Sequence, residues 1–293
     1  VLLPSFNFVA AANAISYLGA VPHFIDSDIS DMGINVNSLQ VYLQKIVTMR
    51  SGLPYNRHTG RRIRSIIAVH MYGFIGKIVE LIDLVKSFNI NVIEDAAEAL
   101  GSTKAERHAG TFADFGVLSF NGNKTITTGG GGAVLLRHTC DYDRLKHLST
   151  TAKVSIKGKV EHDQLGYNYR LPNINAALGC AQLEQLNKYL IAKRKISDIY
   201  REICKNSDIV EFVNEPVDNH SNYWLCTLMF KDSRLRDEFL ELANTRNVMT
   251  RPGWSLLSDF KMFQNCPGSD LESARALASR SLNIPSSPKL SIP

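Results

Sequence analysis

From Val1 to about Arg137 the chain alternates short apolar runs with longer amphipathic stretches. VLLPS, VPHFID, RSIIAVHM and NVIED are rich in aliphatic and β-branched residues and are bounded by polar residues, proline or glycine; such runs read as buried strands. Between them AAANAISYLG, VNSLQVYLQKIV and KIVELIDLVKSF repeat apolar positions at helical spacing, so each predicts a helix with one buried face. Helices placed between strands supply the crossovers that parallel pairing requires. GVLSF and GAVLLR add two more strands. Six strands so connected predict a three-layer α/β sandwich with ligands at the carboxyl ends of its strands.

The pattern then changes. SGLPYNRHTGRR, residues 51–62, mixes Gly, Pro and basic residues without periodicity and predicts an exposed connector. From Asn173 a long helical stretch runs, with room for a bend, through INAALGCAQLEQLNKYLIAKRKISDIYREIC, as in helices that join two domains. SNYWLCTLMF predicts a strand and RDEFLELANTR a helix beyond it. The expected division is a large domain over 1–194, including the connecting helix, and a smaller α+β domain over 195–293.

Composition narrows the class without naming it. With 44% hydrophobic and 21% charged residues, the 293-residue chain suits a folded globular protein rather than a disordered one. The formal charge of +5 is scattered, with no long cationic tract, so nucleic acid is not an expected partner; the small excess suits an anionic ligand such as a phosphate or nucleotide. Cys140, Cys180, Cys204, Cys226 and Cys266 are odd in number and form no CxxC pair, which predicts neither a disulfide framework nor a zinc site. No run of about 18 apolar residues suggests a membrane span and no charged-then-apolar leader opens the chain, so cytoplasmic residence is the expectation. The first residue is Val1, inside a run that reads as a buried strand; a sequence cut at its N-terminus is expected.

Three segments carry candidate chemistry. NVIEDAAEALG ends a strand abruptly in Glu94 and Asp95. A carboxylate there is partly desolvated and needs a cation or several hydrogen bonds to stay charged, though Asp95 before two alanines equally suits a helix cap. In GVLSFNGNKTITTGGGG a strand delivers Ser119 and then Lys124 just past its end. A lysine tucked between strand ends loses water, which favours the free amine that attacks an aldehyde; a loop lysine on the surface is the plain alternative. Ser119 suits either a phosphate or a neighbouring backbone group. The glycines from 129 to 132 suit close approach of a ligand or a second chain, or simply a turn, and Asn123 before Lys124 rules out a P-loop. HDQLGYNYRLPNINAALG sets Asn168 and Arg170 among aromatics, either as core or as a structured loop offering two polar side chains to a phosphate or across a subunit contact. Phe8 either stacks on a flat ring or fills the core.

Taken together, VIEDAAEALGS, GTFADFGVLSFNGNKTITTGGGG and GYNYRLPNINAALGCAQLEQL resemble the DegT/DnrJ/StrS family of PLP-dependent nucleotide-sugar aminotransferases. The similarity runs in order from PSFNFVAAANAISYLGAVPHFID to TRPGWSLLSDF and NIPSSPKL. NRHTGRRIRSIIAVHMYG and SFNGNKTITTGGGG look most like the branch that aminates the 4-keto group of UDP-linked acetamido sugars, the legionaminic type.

The resemblance implies an aspartate aminotransferase-like large domain of fold type I, with pyridoxal 5′-phosphate (PLP) as cofactor. It implies Lys124 as the Schiff-base lysine, Asp95 as partner of the pyridine nitrogen, Ser119 as a phosphate ligand and Phe8 as the stacking ring. Glu98 aligns with a position near the phenolic oxygen, often glutamine in relatives. Asn168 aligns with one that reaches the neighbouring subunit's phosphate in a homodimer, and Arg170 is expected at the substrate. An anionic Asp95 would keep the ring nitrogen protonated while Lys124, displaced by the donor's amine, moves a proton. The implied substrates are a nucleotide-linked keto sugar and glutamate, with 2-oxoglutarate released.

Departures from the pattern temper this. Relatives carry an N-terminal glycine-threonine-alanine turn that helps hold the cofactor phosphate, and this chain starts after it. Asn7 replaces a usual threonine, and Ser258 replaces a histidine that many relatives place near the substrate. A catalytically impaired or regulatory relative is therefore the rival expectation. A PLP-dependent dehydratase is disfavoured, because the resembling dehydratases carry histidine where Lys124 stands. A plain nucleotide-binding α/β protein is the remaining alternative.

Overall fold

A computed structural model describes residues 1–291. Strands β1 (Leu2–Pro4), β2 (His23–Ile25), β3 (Ser65–Val69), β4 (Asn91–Asp95), β5 (Phe115–Ser119) and β6 (Gly132–Leu136) form one sheet in the order β6-β5-β4-β3-β1-β2. The first five pair in parallel, as in Leu2 opposite His23 and Asp95 opposite Val117; β6 closes the edge antiparallel to β5. Each of the six apolar runs singled out in the sequence overlaps one of these strands. Helices α1 (Ala10–Tyr17), α2 (Val36–Ile46) and α3 (Ile78–Lys86) fall in the three amphipathic stretches.

Strand alternation divides the sheet into two unlike faces. Ile66, Ala68, Val92 and Leu118 point to one side, where they share a core with Leu39 and Leu43 of α2 and Leu81 and Val85 of α3. Asn35 starts α2 by accepting the Ser38 N–H at 3.0 Å, an N-cap. On the other side α1 covers only the β1 and β2 end, packing Ala11, Ala12 and Ile15 with Leu3, Phe24, Leu257 and Phe263. Ile67, Val69, Ile93, Asp95, Val117 and Ser119 belong to that second face and line a broad groove.

A helix of eight residues, α4 (Tyr142–Ser149), follows the sheet. The predicted long helix is two helices, α5 (Asn173–Glu184) and α6 (Leu186–Cys204), with the break at Gln185. The second sheet has β7 (Val210–Phe212), β8 (Cys226–Phe230), β9 (Arg251–Pro252) and β10 (Ser281–Ile284) in the antiparallel order β7-β8-β10-β9. Ile196 of α6 packs on it through Phe212, Leu228 and Leu282. Helices α7 (Ser233–Thr245) and α8 (Glu272–Arg280) complete this half. The boundary expected at 194/195 falls within α6. Phe6, Met71 and Tyr72 at the ends of the first sheet share a buried cluster with Trp224, Met229 and Leu277, so the two sheets meet across apolar side chains.

The segment 51–62 differs from expectation. Leu53–Asn56 pairs with Val47–Arg50 as a hairpin, and only the remainder is loop. Alternate burial along Leu53–Asn56 is what a strand requires, and Asn56 closes the turn by accepting the His58 and Thr59 N–H groups. Among the described residues no helix is long and apolar enough to cross a membrane.

Candidate active site

Strand β4 ends in two acids that its pleat sends to opposite faces. Glu94 turns to the helix-covered side and is fully buried. It accepts His70 Nε2 at 2.8 Å and the backbone N–H groups of Gly110 at 2.8 Å and Ala113 at 2.6 Å. Burial alone would raise its pKa, but His70 and these N–H groups hold it below the ordinary glutamate value. Glu94 thus ties the 109–113 loop to the sheet. Asp95 turns the other way, to the floor of the groove. Its Oδ1 accepts the Ala97 N–H at 3.1 Å, but a turn follows rather than a helix, so it caps nothing. Burial pushes its pKa up, opposed by that N–H and by the charge of Lys124.

Lys124 reaches the same groove from the loop after β5. Its side chain is 13% exposed, and Nζ lies 3.6 Å from Glu98 Oε1 and 3.9 Å from the centroid of the Trp224 ring. Glu98, 6% exposed, also accepts the Tyr72 N–H at 2.8 Å. Desolvation raises the Glu98 pKa to about 7, with Lys124 and the Tyr72 N–H pulling against it. Ser119, at the end of β5, lines the groove and accepts the Asn121 N–H at 3.3 Å. Phe8 is 50% exposed, with one edge near Trp254, the ring centroids 5.4 Å apart. A large aromatic left half open on a cavity wall is not serving as core.

Phe8, Asp95, Glu98, Ser119 and Lys124 therefore line one cavity of about 1030 Å³. Asn168 and Arg170 do not. Both are exposed on the segment before α5, where Asn168 bridges to Thr150. The glycine run is partly explained by packing: Gly131 has φ +117°, and a Cβ there would stand 2.6 Å from Leu171 Cδ1. Ser258 bonds Ser5 Oγ at 3.0 Å and does not line the cavity.

Sequence reasoning passed over Trp224 and Trp254, both of which line the cavity. The available signal was rarity: they are the only two tryptophans in the chain. Asn7, noted in the sequence as a replacement for threonine, lines the cavity beside Trp254; its Nδ2 and the Trp254 Nε1 are buried donors without a partner among the described residues. Unpaired buried donors are uncommon and call for an acceptor.

An α/β fold with an amine, two carboxyls and an open aromatic ring at the carboxyl end of a parallel sheet suits a PLP-dependent aminotransferase. A family model described as the DegT/DnrJ/EryC1/StrS aminotransferase family matches residues 1–292. The chain belongs to this family, whose members are PLP-dependent sugar aminotransferases.

It is 35% identical over 295 residues to GDP-perosamine synthase of Escherichia coli O157:H7, covering 99% of this chain and 74% of that protein. It is 34% identical over 209 residues to UDP-4-amino-4,6-dideoxy-N-acetyl-beta-L-altrosamine transaminase of Campylobacter jejuni subsp. jejuni serotype O:23/36, covering 70% of this chain and 52% of that protein. A DegT DnrJ EryC1 StrS aminotransferase from Brucella abortus, known by crystal structure, superposes with a TM-score of 0.89 at 23% identity, covering 99% of this chain and 74% of that one. The fold is thus the α/β aminotransferase fold.

The residues present fit the cofactor. Phe8 offers an open ring face, Lys124 an amine, and Asp95 a carboxyl whose charge burial disfavours until a cation faces it. The side-chain donors of Asn7 and Trp254, unpaired among the described residues, suit the acceptor oxygens that such a cofactor carries.

Proposed function

We propose that this protein transfers an amino group from glutamate to carbon 4 of a UDP-linked 6-deoxy-N-acetyl keto sugar. The observation that carries the transamination is the convergence of Lys124 and Asp95 on one cavity, beside Glu98 and the open face of Phe8. The relative whose name places an amine on carbon 4 of a UDP-linked dideoxy sugar supports the finer choice. The 35% identity to a GDP-perosamine synthase favours a second reading, in which the nucleotide is GDP.

PLP, when bound, supplies an aldehyde to join the amine and a ring that absorbs electrons. Lys124 would hold the cofactor and, with its amine free, would carry a proton to and from the donor's α-carbon. With PLP in the cavity, Asp95 would keep the ring nitrogen charged, Phe8 would cover a ring face, Glu98 would serve the phenolic oxygen and Ser119 the phosphate. Asn168 and Arg170, outside the cavity of their own chain, act in the site of a partner subunit in a homodimer, at phosphate and substrate respectively.

The test is direct. Borohydride treatment after loading with PLP should leave the cofactor on Lys124, as read by peptide mass, and leave Lys124→Ala unlabelled. Protein, PLP and glutamate mixed with UDP- and GDP-linked keto sugars should yield a 4-amino product from the UDP series. Asp95→Asn should lower that turnover by about a hundredfold or more. Labelling elsewhere, or no amino sugar from either series, would overturn the reading; product from the GDP series alone would move the nucleotide.

A further inference from the structure

Lys124 is held by more than the loop that carries it. The Trp224 ring lies against its amine at 3.9 Å, and the same indole donates its N–H to the carbonyl of Asn123 at 2.8 Å. One side chain therefore touches both the reacting group and the backbone that delivers it. Trp224 stands two residues before β8, so these contacts come from the second sheet rather than the one carrying Asp95.

The backbone of Trp224 is fixed on both sides. Its N–H donates to Asn222 Oδ1 at 2.8 Å, and the Asn222 amide reaches back to the carbonyls of Glu98 and Leu100, each at 2.9 Å. Its carbonyl accepts Lys193 Nζ at 3.2 Å and Ser286 Oγ at 3.0 Å. Lys193 is 4% exposed on α6, and its other acceptor is the Ser286 carbonyl at 2.6 Å. Among the described residues no carboxylate pairs with it. Burial lowers its pKa to about 8. A buried lysine without a counter-charge is an unfavourable way to fill space, and an aliphatic residue would fill it at lower cost. What the lysine adds is N–H donation to two carbonyls that converge on it, one of them Trp224's.

We propose that Trp224 is the positioning residue for Lys124, and that Lys193 acts through it by holding the Trp224 carbonyl and so fixing the indole against the amine. A free lysine side chain samples many rotamers, and attack on an aldehyde requires one narrow geometry. The aromatic face attracts the ammonium, and the bond from the indole N–H to Asn123 sets the height of the ring on it. This inference rests on the reading of Lys124 as the residue that holds PLP.

The experiment measures the rate at which cofactor-free protein attaches PLP at Lys124, by absorbance and by borohydride-fixed peptide mass. Wild type failing to attach PLP at Lys124 would remove the reading beneath the inference. With wild type attaching it, Trp224→Leu should do so about tenfold or more slowly. Trp224→Phe, which keeps a ring face and loses the N–H, should lie between them. Lys193→Met should slow attachment in the wild-type background and add nothing in Trp224→Leu, since one acts through the other. Thermal midpoints identify any variant that has simply unfolded, and Trp224→Phe keeps the comparison open in that case. Equal rates in wild type and Trp224→Leu, or the same slowing by Lys193→Met in both backgrounds, would overturn it.

Discussion

Glu98 occupies a position between two demands. It must accept the Tyr72 N–H and face the Lys124 amine while almost wholly removed from water. Burial lifts its folded pKa to about 7, above the ordinary glutamate value of 4.5. Between these values the native state keeps a proton that the unfolded chain has released, so stability declines as pH rises through that window. Glu98→Gln keeps the shape and an acceptor for Tyr72 but does not titrate. Denaturant unfolding at pH 5 and pH 8 should show wild type losing up to about 3 kcal/mol more than the variant over this interval. Parallel losses in the two proteins would show that Glu98 does not carry the titration.

Between β3 and α3 the chain turns through Tyr72, at φ 56°, and Gly73, at φ 106°. A fully buried tyrosine in the left-handed region is uncommon and is held here by Glu98 from one side and the apolar cluster from the other. At Gly73 no side chain fits: a Cβ would stand 2.0 Å from Asn222 Oδ1, the atom that caps Trp224. Gly73→Ala should destabilise the fold by about 1–3 kcal/mol in a urea titration and weaken PLP attachment, because the displaced side chain is the one that joins the two sheets. Unchanged stability and attachment would mean that this turn is looser than its geometry indicates.

Elements of this kind divide sharply in how far they can be read from sequence. The six strands and three helices of the first sheet were legible because alternation and helical spacing report burial directly. Asp95 stood out because an acid ends an apolar run, and Lys124 because it falls in the short polar stretch between the next apolar run and the glycines from 129 to 132. The hairpin at Leu53–Asn56 was hidden by Pro54, and the Gly52 and Gly60 around it, which mimic a loop. Trp224 was hidden differently: a tryptophan in SNYWLCTLMF looks like strand core, and only the approach of the second sheet places its indole under a lysine 100 residues earlier.

At the scale of the molecule, the cavity gathers some of the expected residues and leaves others outside. Five of the seven residues expected at the site meet in one chain, while Asn168 and Arg170 stand outside it. A partner supplying them would make two sites per pair, each drawing on both chains. Lys124→Ala and Asn168→Ala should then each be inactive alone, yet mixed subunits should regain activity, because each hybrid pairs one intact Lys124 with one intact Asn168. Absence of recovery after subunit exchange, with sedimentation showing a single 32.6 kDa chain in solution, would exclude the shared arrangement.

Both indoles of the chain sit on the wall of that cavity. Tryptophan emission from this chain thus reports on one location only, and a chromophore settling beside Phe8 and Lys124 would quench nearly all of it. Occupancy of the pocket can be followed optically in unlabelled material, with no background from tryptophan elsewhere in the chain.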